Sequence, residues 1–397
     1  MTICFSLTNL ELGGAQVFVV RLANELATQL QQPVYLYDHW PEIRNTSILS
    51  NLSPLVKVLS YSESPAERWV IWKLNAFFKV TGLQSEFRHK VNRKRFQKAL
   101  RDHKVDVLNS HMSFADFENA NLPSNLYKRV ITMHGEYELL LNDKAHLKHW
   151  QTKIQQALQT ANAVIYTADK NLESLKPLCP DLKVPLYKIP VGFSPAMFHL
   201  KKINKEDLGL KKEDFVVGMI SRGIAEKGWE SCIRVVQKYN ANANGNPIKL
   251  ILIGDGHYLN ELVKQNKDSN IRLIQFGSNF QDYFSYYPLF SLFLFPTYFS
   301  GESFPNVVIE SLYWRVPVLS VQYAEIPAML RCDTASPAGE CVSFGDRNKT
   351  EEELLSALSK FIQEPQTLTA LSKNCEEAFK SFDMANTVAQ YKQVLLN

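Results

Sequence analysis

Short apolar runs alternate with helical stretches along most of this chain, and no other feature constrains its fold as much. Such runs, bounded by turn residues and separated by helical patterns, specify parallel strands joined by crossover helices. The first half offers strands at Ile3–Leu7, Val34–Tyr37, Val105–Leu108, Val130–Met133, Ala163–Tyr166 and Leu186–Ile189. The second half offers Phe215–Ile220, Lys249–Ile253, Arg272–Gln275, Leu292–Phe295, Val316–Leu319 and Glu340–Ser343. A length of 397 residues exceeds what one hydrophobic core usually serves. The fold class expected is therefore α/β, with two Rossmann-like domains. Pro190, Gly192 and Pro195 break the periodicity ahead of a Lys-rich stretch, which puts the seam between Pro190 and Lys205. The domains expected are 1–195 and 196–380, with a C-terminal helix at about 380–397 packing back on the first.

Composition removes several classes of function. The formal net charge of +4 is too small to support general nucleic-acid binding. Six cysteines without a C-x-x-C pair argue against a zinc site and fit reduced thiols in a cytosolic compartment. No apolar stretch approaches the ~20 residues that span a bilayer. No basic segment precedes an apolar run at the N-terminus, so a cytoplasmic protein without a signal peptide is expected.

Ligands of open parallel sheets bind beyond the carboxyl ends of strands, and the polar motifs of this chain gather there. Leu12-Gly13-Gly14-Ala15-Gln16 follows the first strand and opens a helix running to about Leu30. Gly13 and Gly14 there either let backbone N–H groups approach an anionic ligand or simply make a tight turn. Met133-His134-Gly135 ends another strand; His134 either donates to a sugar hydroxyl or a developing charge, or is a capping or core histidine. Arg222 and Lys227 come from one loop between Gly223 and Gly228. Two cations at a strand end can hold a diphosphate and stabilise it as it leaves, although surface pairs are commonly just solvated. Gly254 and Gly256 flank Asp255 in a turn that is structural first and a lining of the nucleotide pocket second.

The longest polar motif runs from Phe295 to Ser311. Glu302 lies in a loop after an apolar strand, and Glu310 in the second turn of a helix expected to start at Pro305. The N–H groups of Phe304, Asn306 and Val307 are placed to meet a phosphate, with Ser303 and Pro305 beside them. Val307, Val308 and Ile309 imply a largely buried helix, where an unpaired carboxylate is costly. Two carboxylates so spaced suit a site that grips hydroxyls.

In order and over nearly the whole chain, these pieces resemble glycosyltransferase family 4, within the glycosyl transferases group 1. Those carrying the resemblance are Gly13-Gly14-Ala15-Gln16, Met133-His134-Gly135, Arg222 to Gly228, Gly254-Asp255-Gly256 and Glu302-x7-Glu310. The resemblance implies a GT-B architecture, two Rossmann-like domains with parallel sheets facing a central cleft. It further implies retaining transfer of a sugar from a nucleotide sugar, with no cofactor and no metal. By position, Arg222 and Lys227 would bind the diphosphate, Glu310 the ribose hydroxyls and Glu302 the donor sugar. His134 would sit near the reacting face, and Gly14 would pack on the phosphates. Two stretches depart from the family. After Glu310 the usual small residues are replaced by Ser311-Leu312-Tyr313-Trp314-Arg315, and Ala324 stands in Tyr323-Ala324-Glu325-Ile326-Pro327-Ala328 where glycine is usual.

No side chain has the setting of a covalent nucleophile with its base. The mechanism implied for the family is front-face substitution, in which the departing phosphate takes the acceptor's proton and the protein positions and stabilises charge. The donor expected is a UDP-sugar. The acceptor expected is a glycan or lipid-linked sugar of bacterial surface polysaccharide or lipopolysaccharide synthesis. Residues 68–104 are basic and aromatic at once, with Trp69, Trp72, Phe77, Phe78, Phe87, Arg88-His89-Lys90 and Arg93-Lys94-Arg95. They form either a peripheral contact with anionic membrane or a charged helix with an ordinary buried stripe. A nucleotide-sugar epimerase is the rival enzyme, and a non-catalytic two-domain sugar-binding protein the rival of another class. The missing Gly-x-Gly-x-x-Gly pattern disfavours a dehydrogenase.

Overall fold

The apolar runs become parallel strands, but several strands continue past the point where the apolar pattern stops. The computed structural model describes residues 1–397 except 12, 62, 81–86, 124–125, 181, 199, 244 and 277–279. The side chains of 75, 78, 79, 87–89, 197, 280 and 281 are likewise outside the description. Leu12 of the glycine motif therefore lies outside the described residues. So do residues 81–86 and the side chains of Phe78, Phe87, Arg88 and His89 in the basic, aromatic stretch. The chain forms two units, Met1–Gly192 with Met384–Asn397, and Phe193–Asp383.

The first unit carries β1 (Ile3–Leu7), β2 (Val34–Asp38), β3 (Val56–Val58), β4 (Val107–His111), β5 (Lys128–Met133), β6 (Ala163–Tyr166) and β7 (Leu186–Lys188). All pair in parallel, in the order β3-β2-β1-β4-β5-β6-β7. Every residue of β1 and β4 is buried, as expected of central strands covered on both faces. Strand β3 has no counterpart in the apolar pattern, because Val56-Lys57-Val58 is a three-residue edge strand with a lysine at its centre. Helix α1 (Gly14–Leu30) buries Phe18, Val19, Leu22 and Leu26. The C-terminal helix Met384–Leu396 belongs to this unit: Tyr391 is fully buried, and Lys128 Nζ donates to the Val394 carbonyl at 2.7 Å.

The second unit carries β8 (Val216–Arg222), β9 (Lys249–Asp255), β10 (Ile271–Gln275), β11 (Leu292–Phe295), β12 (Val318–Val321) and β13 (Gly339–Val342). They too are all parallel, in the order β10-β9-β8-β11-β12-β13. Tyr313 and Trp314, which replace the small residues usual after Glu310, fill space in an aromatic core. Phe284 stacks on Phe198 at 4.1 Å and meets Tyr313 at 5.6 Å and Trp314 at 5.4 Å.

The longer strands have a common cause. Strand β4 runs on through Asn109, Ser110 and His111, β2 through Asp38, β8 through Ser221 and Arg222, and β9 through Gly254 and Asp255. Their polar side chains sit at the carboxyl ends, so the hydrophobic signal fades while the backbone ladder continues. In both sheets the order reverses between neighbours, at β1/β4 and at β8/β11, which is where such sheets open a crevice for ligands.

Candidate functional site

At the reversal in the second sheet, Arg222 is the last residue of β8 rather than part of a loop, in register with Asp255. The Gly223 N–H donates to the Asp255 carbonyl at 2.7 Å, which prolongs the ladder and holds Arg222 at the rim. A tight 3-10 turn, Ala225–Lys227, follows and ends at Gly228 with φ 84°. A Cβ at Gly228 would stand 2.1 Å from the Pro296 carbonyl oxygen, so glycine alone lets this turn close on the end of β11. The Tyr298 N–H donates to the Glu226 carbonyl at 2.7 Å and joins the two loops.

This closure brings Lys227 against Glu302. Each is only 7 % exposed, and they form a hydrogen-bonded ion pair that the Thr297 hydroxyl joins at 3.4 Å from the same Glu302 oxygen. Burial pushes the Lys227 ammonium below its ordinary pKa, and the Glu302 carboxylate pulls it back up. Phe299 lies between two cations: Lys227 Nζ is 4.7 Å from its ring centroid and Arg222 Cζ is 5.2 Å. One buried and one exposed cation are held on one ring at a strand end, an arrangement that can attract an anion. Glu302 is thus the partner of Lys227 in addition to any hydroxyl it grips.

The following helix spans Asn306–Tyr313, and Pro305 is its N-cap rather than its first residue. The Pro305 backbone is extended, at ψ 115°, and its carbonyl accepts the first helical bond from Val308 N–H at 3.1 Å. No side chain caps that end. Ser303 is buried, and Phe304 is half-buried, packed edge-on to Phe382 at 5.6 Å. Glu310 is no surface glutamate: it is 1 % exposed, and its two oxygens accept from Tyr283 at 2.9 Å and Tyr287 at 3.0 Å. Gly254 serves packing. A side chain there would meet the Ser221 carbonyl oxygen at 2.2 Å and the Trp229 ring at 2.7 Å. Ala324, in the glycine position of the family, keeps the left-handed backbone of a glycine, at φ 51°.

The first unit gathers a different set of groups at its own strand ends. Gly13 caps α1, and Gly14 is its first residue. A Cβ at Gly13 would lie 2.4 Å from Gln16 Oε1, and Gln16 Nε2 donates to Asn9 Oδ1 at 2.9 Å. His134 directly follows β5, beside His111 of β4, with His111 Nδ1 2.9 Å from His134 Nε2. His111 Nε2 is 3.0 Å from Asn109 Oδ1. Burial lowers both imidazoles, His134 to about 4, and the neighbouring ring adds to the effect at His111. Just after His111, Met112 adopts φ 81°, a strained value for a non-glycine, and Ser113 N–H and Oγ both donate to Glu136.

Motif reasoning passed over Thr297, Phe299, Tyr283, Tyr287, Asn109 and His111. Tyr283 and Tyr287 lie on the 3-10 segment Phe280–Leu289 and reach Glu310 only through the fold. The others lie on strands or loops whose partners are far away in sequence.

Residues 201–378 match the family model described as Glycosyl transferases group 1. An uncharacterized 41.2 kDa protein in the cps region of Klebsiella pneumoniae is 22% identical over 313 residues, covering 74% of this chain and 80% of its own length. Among solved structures, HepE of Anabaena in complex with UDP superposes with a TM-score of 0.72 at 15% identity, covering 100% of this chain and 99% of its own. WaaG, a glycosyltransferase involved in lipopolysaccharide biosynthesis, superposes with a TM-score of 0.67 at 14% identity, covering 99% of both chains. With a group 1 model matching most of its second unit and this fold shared along its length, the chain is a glycosyltransferase of the GT-B class.

Proposed function

We propose that this protein transfers a sugar from a UDP-sugar to a glycan or lipid-linked acceptor, with retention at the anomeric carbon. The observation that carries this reading is the buried Lys227–Glu302 pair with Arg222 and Phe299 at the reversal of the second sheet. Arg222 and Lys227 hold the diphosphate and stabilise its growing charge as it leaves. Glu302 steadies Lys227 and grips the donor sugar, and Glu310, fixed by its two tyrosines, takes the ribose hydroxyls. His134 meets the sugar at its reacting face. The two cations supply the charge stabilisation that a metal would otherwise bring, so transfer continues in EDTA. UDP as the nucleotide is supported by HepE, described with UDP, UDP-glucose, and UDP and glucose. A surface-polysaccharide acceptor is supported by the cps-region relative and by WaaG.

Thermal-shift screening against UDP-, GDP- and ADP-sugars tests the donor, since a ligand of the native state raises Tm. A UDP-sugar should give the largest shift, and a larger GDP- or ADP-sugar shift would overturn the choice. The anomer formed on a synthetic acceptor, read by NMR, tests retention. A product of inverted configuration would refute it, and sugar conversion without any acceptor would favour an epimerase.

The same reading extends to the membrane. On the helix Pro65–Val80, Trp69, Trp72 and Phe77 are 60–61% exposed, with Lys73 Nζ 5.6 and 5.3 Å from the two indole rings. Exposed aromatics beside a cation suit an interface of anionic headgroups, where a lipid-linked acceptor resides on the cytoplasmic face. Binding to anionic vesicles should weaken with added salt. Salt-insensitive binding, or none, would remove this part of the proposal.

A further inference from the structure

The hydrogen bonds of Asn109 and His111 in the first unit determine which nitrogen of His134 carries its proton. Asn109 Nδ2 is 2.9 Å from the Val130 carbonyl, which can only accept, so the amide NH2 faces that way. Asn109 Oδ1 then faces His111 Nε2 at 3.0 Å, and that nitrogen must bear hydrogen. A neutral His111 has a bare Nδ1, which must accept across the 2.9 Å contact from His134 Nε2–H. A neutral His134 is left with an unprotonated Nδ1, for which no hydrogen-bond partner occurs among the described residues.

We infer that His111 and Asn109 are positioning residues that lock His134 in the Nε2–H tautomer, so that its Nδ1 offers a lone pair to a substrate hydroxyl. This reverses the role in which His134 donates. The surroundings reinforce the neutral pair. Phe18 of α1 contributes only a ring, edge-on to His134 at 5.8 Å. Tyr391 of the C-terminal helix is kept protonated by burial and reaches Thr132 Oγ1 at 3.5 Å. Glu136, on the helix after β5, is taken up by Ser113. A histidine that accepts from a hydroxyl orients it and withdraws charge from the oxygen less than a donor would, which suits a sugar or acceptor hydroxyl that must stay nucleophilic.

Nitrogen-15 spectra of the imidazoles in the ligand-free protein give the test. Wild-type His134 should show the Nε2–H pattern, unchanged from pH 8 to about pH 5. His111→Phe and Asn109→Leu should each release the lock and give a mixture of tautomers. His111→Asn, which returns an acceptor oxygen to His134, should restore the single tautomer. Wild-type His134 in the Nδ1–H form or protonated at pH 7 would overturn the proposal, as would an unmoved tautomer in folded Asn109→Leu protein. The consequence for turnover rests on the sugar-transfer reading: His111→Phe should lower kcat roughly tenfold. An unmoved kcat with an altered spectrum would refute only that catalytic part.

Discussion

The polar centre of the first unit is built from neutral groups, whereas that of the second is built from charges. At β4 and β5, burial keeps His111 and His134 unprotonated, and the network closes through one amide and one carbonyl. At β8 and β11, burial lowers the Lys227 pKa, but Glu302 stands against it and sustains the charged form. The same sheet reversal therefore yields two electrostatic solutions, decided by whether an opposite charge lies within reach. A neutral chain can direct a proton without attracting a phosphate. A buried cation held by a carboxylate can attract an anion, as the proposed diphosphate role of Lys227 requires.

Removing the charge on one side should break this comparison most visibly. Lys227→Met should reduce sugar transfer by on the order of 100-fold or more, because the help given to the departing phosphate is lost. It should also destabilise the fold by about 3 kcal/mol, since the buried Glu302 carboxylate loses its opposite charge. Steady-state kinetics and chemical denaturation read the two effects. Restoration of stability but not of activity in Lys227→Met/Glu302→Leu would separate the structural part of the pair from its chemistry.

Acidification probes the other side. His134 titrates at about 4 in the fold against an ordinary 6.5, so the unfolded chain takes up its proton first. Stability from this group is complete above pH 6.5 and is lost as pH falls through about 4. The loss should be about 3 kcal/mol, visible as a falling Tm in that window. A Tm independent of pH between those values would mean that the pair is already charged, and the contrast between the units would vanish.

Smaller changes sharpen the picture within the second unit. Glu310→Gln preserves shape but removes the anion that Tyr283 and Tyr287 address. It should raise the KM for the nucleotide sugar about tenfold with a smaller change in kcat, the mark of a ground-state grip. Ala324→Gly should stabilise the protein by about 0.5 kcal/mol, because glycine bears the left-handed backbone without the Cβ clash. Urea midpoints resolve that difference.

Much of the fold was legible in the pattern of apolar runs. Each of the twelve expected strands overlaps an observed one, and the central ones stand out because fully buried parallel strands need near-continuous apolar sequence. The missed strand, Val56–Val58, is short, lies at an edge and is interrupted by Lys57. Strand ends were misjudged wherever the chain turns polar, as at Asn109 to His111 and at Arg222, since a ladder continues regardless of side-chain hydropathy. Arg222, Lys227, Glu302 and Glu310 were visible as candidates through their spacing around turn glycines and a helix start. Their partners were not: Phe299, Thr297, Tyr283 and Tyr287 carry no motif of their own.

The sequence by itself determined the class of fold, the strand ends at which polar residues gather, and the candidates on which a sugar-transfer site can be built. These follow from local periodicity and from the few residues that tight turns admit. The tertiary structure decided the charge state and the role. Lys227 is charged because the chain returns Glu302 to it from 75 residues away, and His134 holds its proton on Nε2 because His111 and Asn109 meet it across two strands. Ionisation and tautomer depend on desolvation and on contacts between distant segments, and neither is encoded in the spacing of neighbours along the chain.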